Sequence, residues 1–213
     1  MTENFFKKIK EDGVVLIKAG SHCFDQKTLK KIQAVFDFNQ LLYKHVSNSM
    51  IDTKVSVYNY KPKTPASSEY ECEKIKLLFS EGFKNFIRQV TDLEQPYIER
   101  LQAHYYIGGN YIAAHVDQDA QPFVKYTFIL GLDCDYDGGE LVVHHPKKGL
   151  IPYKIEPNDL LILDARYRHE VTEITRGRRH MVIGFMMEES QVGVPYKMKL
   201  NDGKNGFKEG VSY

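Results

Sequence analysis

His115-Val116-Asp117 places an imidazole and a carboxylate two residues apart. On a strand, residues i and i+2 share a face, so both side chains could bind one metal ion. A third donor is His169. It opens the run His169-Glu170-Val171, after an apolar stretch, Leu160 to Asp164, that reads as a buried strand. A ligand just beyond such a strand can lie at the mouth of a barrel. Two imidazoles and one carboxylate on one side of a metal leave three positions open. With eight histidines in the chain, an HxD pair is weak by itself and needs support from other residues.

Support comes from the segment that follows His169, ending Arg176-Gly177-Arg178-Arg179. Gly177 is expected to make a turn, with the two arginines starting the last strand. Successive strand residues face opposite ways, so only one of Arg178 and Arg179 can point inward. A guanidinium inside a barrel needs an anionic partner. A dicarboxylate cosubstrate would supply one bidentately. The other arginine is then an ordinary solvated cation. Mixed His/carboxylate ligation with open positions suits non-haem Fe(II), which can hold a chelating cosubstrate and O₂ together.

These residues sit in a chain of 213, read as a single domain over 1–213. Its expected parts are a supporting segment (1–98), a core (99–188) and a polar tail (189–213). The apolar fraction of 42% and aromatic fraction of 12% are ordinary globular values. A net charge of +1 gives no global field for nucleic acid or an anionic membrane, so any anion site must be local. Cys23, Cys72 and Cys134 form no CxxC pair, which removes zinc-finger and redox-motif readings and fits thiols in a reducing cytoplasm. The N-terminus lacks the apolar core of a signal peptide, and no run approaches a membrane span. The expectation is a cytoplasmic protein with no membrane or nucleic-acid partner and an unspecified oligomeric state.

The elements that must position the site follow from periodicity. Phe5 to Ile9 reads as a short amphipathic helix ended by Asp12-Gly13, and Val14 to Ile17 as a strand. Asp25 is a helix N-cap, with Leu29, Ile32 and Phe36 on one face. Residues 37–52 are ambiguous. Thr53 to Tyr60 alternates like a strand, and 61–68 is a proline-containing loop. From Glu71 to Thr91, apolar residues recur at three or four, giving a helix whose aromatic stripe faces the core. Eight short β-type runs then follow: Glu99–Tyr106, Tyr111–Val116, Phe123–Leu132, Glu140–His144, Tyr153–Ile155, Leu160–Asp164, His169–Ile174 and His180–Met187. That rhythm is an antiparallel sandwich or barrel, with no βαβ repeat.

Taken together, Tyr106-Ile-Gly-Gly-Asn-Tyr111-Ile-Ala-Ala-His115-Val-Asp117, Gly138-Gly139-Glu-Leu, Pro157-Asn-Asp159-Leu, His169-x-Val171 and Gly177-Arg-Arg179 resemble the Fe(II)/2-oxoglutarate-dependent dioxygenases, most closely their prolyl 4-hydroxylase-type catalytic domain. The resemblance covers roughly 99–188. It implies a mainly β protein with flanking α: a double-stranded β-helix of the jelly-roll or cupin kind, with helices packed outside. It implies His115, Asp117 and His169 as iron ligands and no other catalytic residue. Arg179 would hold the distal carboxylate of 2-oxoglutarate, with Arg178 the runner-up and Tyr106 lining the same pocket. A second tyrosine usual in the family is missing: its place looks like Gly131, with Tyr126 and Thr127 nearby, which leaves that contact open. The implied cosubstrates are 2-oxoglutarate and O₂, with ascorbate as reductant and succinate and CO₂ as products. The substrate would be a C–H group, first of all on an amino-acid side chain, in a peptide or protein or in a free amino acid as a small-molecule substrate. Tyr58, Tyr60, Gln102, Gln118, Asp119 and Arg166 are candidates to line its site. AlkB-type nucleic-acid demethylation is the alternative. Its second arginine would fall on Gly184 or Phe185, which argues against it. A non-catalytic binding or sensor module on the same fold is the third class.

Overall fold

The computed structural model describes residues 2–37, 44–48, 50–59 and 77–192. The segment 61–68, Cys72, the start expected for the long helix, Tyr60 and the tail from 193 onward lie outside them. The elements in chain order are α1 (Thr2–Asp12), β1 (Val14–Ile17), α2 (Gln26–Val35), β2 (Lys44–Ser47), β3 (Ile51–Asn59), α3 (Glu81–Val90), β4 (Pro96–Ile107), β5 (Tyr111–His115), α4 (Asp117–Ala120), β6 (Tyr126–Gly138), β7 (Leu141–His145), β8 (Gly149–Tyr153), β9 (Leu160–Asp164), β10 (His169–Val171) and β11 (Ile174–Glu188).

The strands pair in the order β1-β9-β6-β11-β4-β3-β5-β10-β7-β8, with β2 on the side of β3. Every pairing is antiparallel. β3 is the corner. Its C-terminal half pairs with β4, while Ile51 and Asp52 pair with β5. Two antiparallel sheets thus face one another, the mainly β architecture that the resemblance implied.

Two apolar layers follow from strand alternation. Along β6, Phe128 and Leu130 join the outer cluster under the helices, while Ile129 joins the inner one. Along β9, Leu160 and Ile162 point to the helices and Leu161 and Leu163 to the interior. The helices cover the outer face as their periodicity requires. Asp25 caps α2 by accepting from the Thr28 N–H at 2.6 Å, and Leu29 and Ile32 are buried. Ser80 caps α3 by accepting from the Phe83 N–H at 3.3 Å. Such a cap is worth about 1 kcal/mol. Phe83, Phe86, Ile87 and Val90 of α3 are buried. The Phe83 ring stacks on Phe24 at 5.1 Å and meets Phe128 edge-on at 5.2 Å, fastening α3 to α2's N-terminal loop and to β6.

Several boundaries differ from expectation. α1 runs from Thr2 to Asp12, longer than Phe5–Ile9. The helix expected through to Thr91 is interrupted at Phe79-Ser80: Leu77 and Leu78 are helical, and α3 starts at Glu81, capped by Ser80. β6 extends to Gly138 instead of ending at Leu132, and β8 is Gly149–Tyr153 instead of Tyr153–Ile155. β11 runs unbroken through Gly177, where a turn was expected. β6 and β11 pair over nearly their whole length, and that ladder overrides the local turn signal. Gly177 is needed for another reason. Its φ is 79°, and a Cβ there would lie 1.9 Å from the Asp135 carbonyl oxygen. No described helix is long and apolar enough to cross a membrane.

Candidate metal centre and anion pocket

β5 and β10 are antiparallel neighbours, and their register sets His115 directly opposite His169. The two rings lie 4.3 Å apart between centroids. Asp117 does not reach the site along the strand, as the spacing suggested. β5 ends at His115, the chain turns at Val116, and Asp117 opens the short helix α4. Its Oδ1 lies 3.5 Å from His115 Nε2 and 3.8 Å from His169 Nε2. Among the described residues these three form the cluster able to hold a cation, their ligand atoms all within 4.8 Å of one another. Each imidazole is oriented by its own backbone. His115 Nδ1 donates to the Ala113 carbonyl at 2.9 Å and His169 Nδ1 to the Tyr167 carbonyl at 3.0 Å. Both Nε2 atoms are therefore left as donors to a metal. The hydroxyl of Thr127, on β6, donates to Asp117 Oδ2 and leaves Oδ1 facing the imidazoles.

The electrostatics agree with a cation-binding set. Burial alone would raise the Asp117 pKa, but the hydrogen bond from His115, both imidazoles and Thr127 hold it down to about 2. Burial pushes His169 down, keeping it neutral and able to ligate. Burial also opposes protonation of His115, but its contact with Asp117 outweighs that and the net shift is upward.

Arg179 is fully buried, at 0% exposure, on the inner face of β11. Its Nε, Nη1 and Nη2 are all buried without a hydrogen-bond partner among the described residues. The guanidinium sits 4.8 Å from the centre of the Tyr106 ring, its register partner on β4. A buried guanidinium with no acceptor is costly, and this one is shaped for a carboxylate. Its neighbour Arg178 points the other way, exposed, and binds Asp133 at 2.7 Å. A chain runs along the inner face of β4. Gln102 Oε1 accepts from His104 Nε2 at 2.9 Å, and His104 Nδ1 then accepts from the Tyr106 hydroxyl at 2.8 Å. Burial, with the charges of Arg179 and Arg100, holds the His104 pKa down to about 3, so the imidazole stays neutral. Burial raises the Tyr106 phenol to about 12 against the pull of Arg179.

The remaining sequence candidates scatter. Gln102 joins the inner face through His104. Gln118 is a scaffold residue: its Nε2 donates to the Val124 carbonyl at 2.8 Å. Asp119 is exposed on α4. Arg166 is held in a two-point contact by Asp164, at 2.9 and 2.6 Å. The side chain of Tyr58 and all of Tyr60 lie outside the described residues; the backbone of Tyr58 pairs with Leu101. At Gly131 a Cβ would approach the Glu156 carbonyl oxygen to 2.3 Å, so the chain has no room for a tyrosine there. Thr127, noted only as a neighbour of that gap, instead positions Asp117. His104 carried no sequence signal beyond its place two residues before Tyr106 on an alternating strand.

Comparison with known proteins agrees with this arrangement. Residues 101–187 match the model of the 2OG-Fe(II) oxygenase superfamily. A PKHD-type hydroxylase of Idiomarina loihiensis is 30% identical over 93 residues, 42% of this chain and 42% of that protein. The match therefore spans less than half of the relative's length. Among solved structures, an oxidoreductase of the 2OG-Fe(II) oxygenase family from Burkholderia pseudomallei superposes with a TM-score of 0.78 at 19% identity, covering 88% of this chain and 91% of that one. A Trichoplax adhaerens prolyl hydroxylase, solved with a hypoxia inducible factor peptide fragment, gives a TM-score of 0.69 at 14% identity over 92% and 93%. At these identities the structural likeness establishes the fold, a double-stranded β-helix.

Proposed function

We propose, for a chain whose residues 101–187 match the model of the 2OG-Fe(II) oxygenase superfamily, an Fe(II)- and 2-oxoglutarate-dependent dioxygenase that hydroxylates a substrate C–H and releases succinate and CO₂. The observation that carries this is the Arg179 guanidinium, fully buried on the inner face of β11 with three nitrogens unpaired among the described residues, together with the His115–Asp117–His169 cluster. His115, Asp117 and His169 would hold Fe(II), and Arg179, walled by Tyr106, would hold the distal carboxylate of 2-oxoglutarate. Bound Fe(II) with 2-oxoglutarate and O₂ supplies the oxidising power for hydroxylation.

The protein's share is placement. The two backbone carbonyls fix both imidazoles, and Thr127 fixes the carboxylate. The inner apolar cluster, including Ile129, Leu141 and Met181, keeps the pocket around Arg179 dry and strengthens its grip on an anion. An amino-acid side chain, in a peptide, a protein or a free amino acid, is the substrate class this reading favours. Support comes from the peptide-bound prolyl hydroxylase of similar fold. Ascorbate as reductant and a cytoplasmic location belong to the same proposal.

His115→Ala and Asp117→Ala should each abolish Fe(II)-dependent succinate release from 2-oxoglutarate. Turnover at the wild-type rate in either variant would sink the assignment.

A further inference from the structure

The register of β4 against β11 breaks once, between Phe185 and Met186, whose partners are Arg100 and Ile98. Glu99 is the extra residue of a bulge. Bulges next to active sites re-aim side chains, and this one has a readable effect. Ile98 and Leu101 both belong to the outer cluster, though they are three residues apart. Arg100, between them, lies over the ring of Phe185, a member of the inner cluster, at 4.4 Å. Arg100 keeps the parity of Gln102, His104 and Tyr106 and so faces inward, while the bulge at Glu99 returns Ile98 to the outer face beside Leu101.

Arg100 is half-buried, and its Nε is buried without an acceptor among the described residues. No carboxylate of the described residues is paired with it. Its position is set by the same ladders that set the metal centre. Phe185 pairs with Arg100 on one side and with Thr127 on the other, and Thr127 holds Asp117. Arg179 is six residues away along β11, about 20 Å of strand. The inner face thus carries a cation at each end, and only Arg179 is spoken for by the cosubstrate. Beside the bulge, Gln121 gives Nε2 to Glu99 at 3.4 Å and leaves Oε1 buried with no donor. Arg100 Nε and Gln121 Oε1 thus lie on the two neighbours of Glu99, one in sequence and one by hydrogen bond, both without a partner among the described residues.

We propose that Arg100 binds a carboxylate of the molecule to be hydroxylated, making an acidic group part of what the enzyme recognises. This rests on the 2-oxoglutarate reading of the previous subsection, and it narrows the substrate class. The carboxylate comes either from a free amino acid or from a peptide, as an acidic side chain or C-terminus. The guanidinium fork serves both sources by the same two-point contact, and Gln121 Oε1 receives an N–H of the same molecule.

The test uses the full chain with Fe(II). Binding of 2-oxoglutarate alone, followed by calorimetry under anaerobic conditions, checks the parent reading separately; its absence would remove that reading and this one together. Succinate release is then compared across three sets: the free amino acids against their α-amides, peptides with free against amidated C-termini, and peptides containing Glu or Asp against Gln or Asn. At least one carboxylate probe should stimulate release with a kcat/KM at least about tenfold above its amide, the scale of a lost charged hydrogen bond. The set that shows the difference identifies the source of the carboxylate. Arg100→Gln should bring acid and amide within about threefold of each other, and Arg100→Lys should keep part of the preference. If 2-oxoglutarate binds but acids and amides stimulate equally, or no carboxylate probe stimulates, Arg100 is not a substrate reader. The acid-against-amide comparison on the wild type decides the matter even if Arg100→Gln fails to fold.

Discussion

Arg178 and Arg179 are one residue apart and live in opposite surroundings. Arg178 is a solvated ion pair with Asp133, of the kind worth about 0–1 kcal/mol. Arg179 is a cation in an apolar interior, its nitrogens without a hydrogen-bond partner among the described residues, and is proposed to await an anionic ligand. Their substitutions should therefore separate stability from function. Arg179→Met should raise the 2-oxoglutarate concentration needed for half-maximal turnover by about 30-fold or more. The same variant should be as stable as the wild type, or more so by about 1–4 kcal/mol in urea melts. Arg178→Ala should leave the 2-oxoglutarate requirement within about twofold and cost less than about 1 kcal/mol. The reverse pattern would move the clamp to Arg178.

At the scale of elements, β11 and its two neighbours carry both ends of the site, so defects in their ladders should be felt as defects of the whole. Gly177 occupies a positive φ, and its Cα lies against the Asp135 carbonyl. Gly177→Ala should destabilise by more than about 1 kcal/mol through strain and the parting of β6 from β11. A melting temperature equal to that of wild type would show that β11 tolerates a side chain there. Two histidines on these strands are buried in neutral form. Burial is the main cause for both, holding His104 down to about 3 and His180 to about 4. The unfolded chain binds protons at these sites below the ordinary histidine value of about 6.5, while the folded chain does not. Their contribution is present above that pH and is lost as the pH falls from there toward 3–4, each by up to about 1.4 kcal/mol per unit. The urea midpoint of the metal-free protein should drop between pH 7.5 and pH 5, and His104→Gln should flatten the drop. A midpoint insensitive to pH in that window would mean that the two rings are not kept neutral.

Over the whole molecule, the three proposed ligands and the proposed anion clamp come from β5, α4, β10 and β11, elements spread across both sheets. A ligand that joins them should stabilise the fold cooperatively. With Fe(II) supplied anaerobically, 2-oxoglutarate at a hundred times its dissociation constant should add about 2.7 kcal/mol and raise the melting temperature. In Arg179→Met the same addition should produce no such rise. An equal rise in both would place the 2-oxoglutarate contact elsewhere.

Most of the candidate metal centre, as a cluster of side chains, was legible in the chain because its signals are local. HxD, the histidine after an apolar strand, and G-x-R sit in short stretches whose periodicity fixes which residues share a face. Alternation also required that one of Arg178 and Arg179 face inward, and it predicted the helical core stripes of Leu29, Ile32 and Phe83. Which arginine it was depended on long-range register: Arg179 lies opposite Tyr106 and Cys134 in a three-strand ladder that no short stretch encodes. The same holds for Thr127, which reaches Asp117 from β6; the Arg166–Asp164 pair, by contrast, joins residues two apart and is of the kind a sequence can suggest. Arg100 is the sharpest case. Uninterrupted alternation cannot place Ile98 and Leu101 together on the outer face. Only the bulge, a property of two strands held together, returns Ile98 to the helices and ends the inward row of Tyr106, His104 and Gln102 at Arg100.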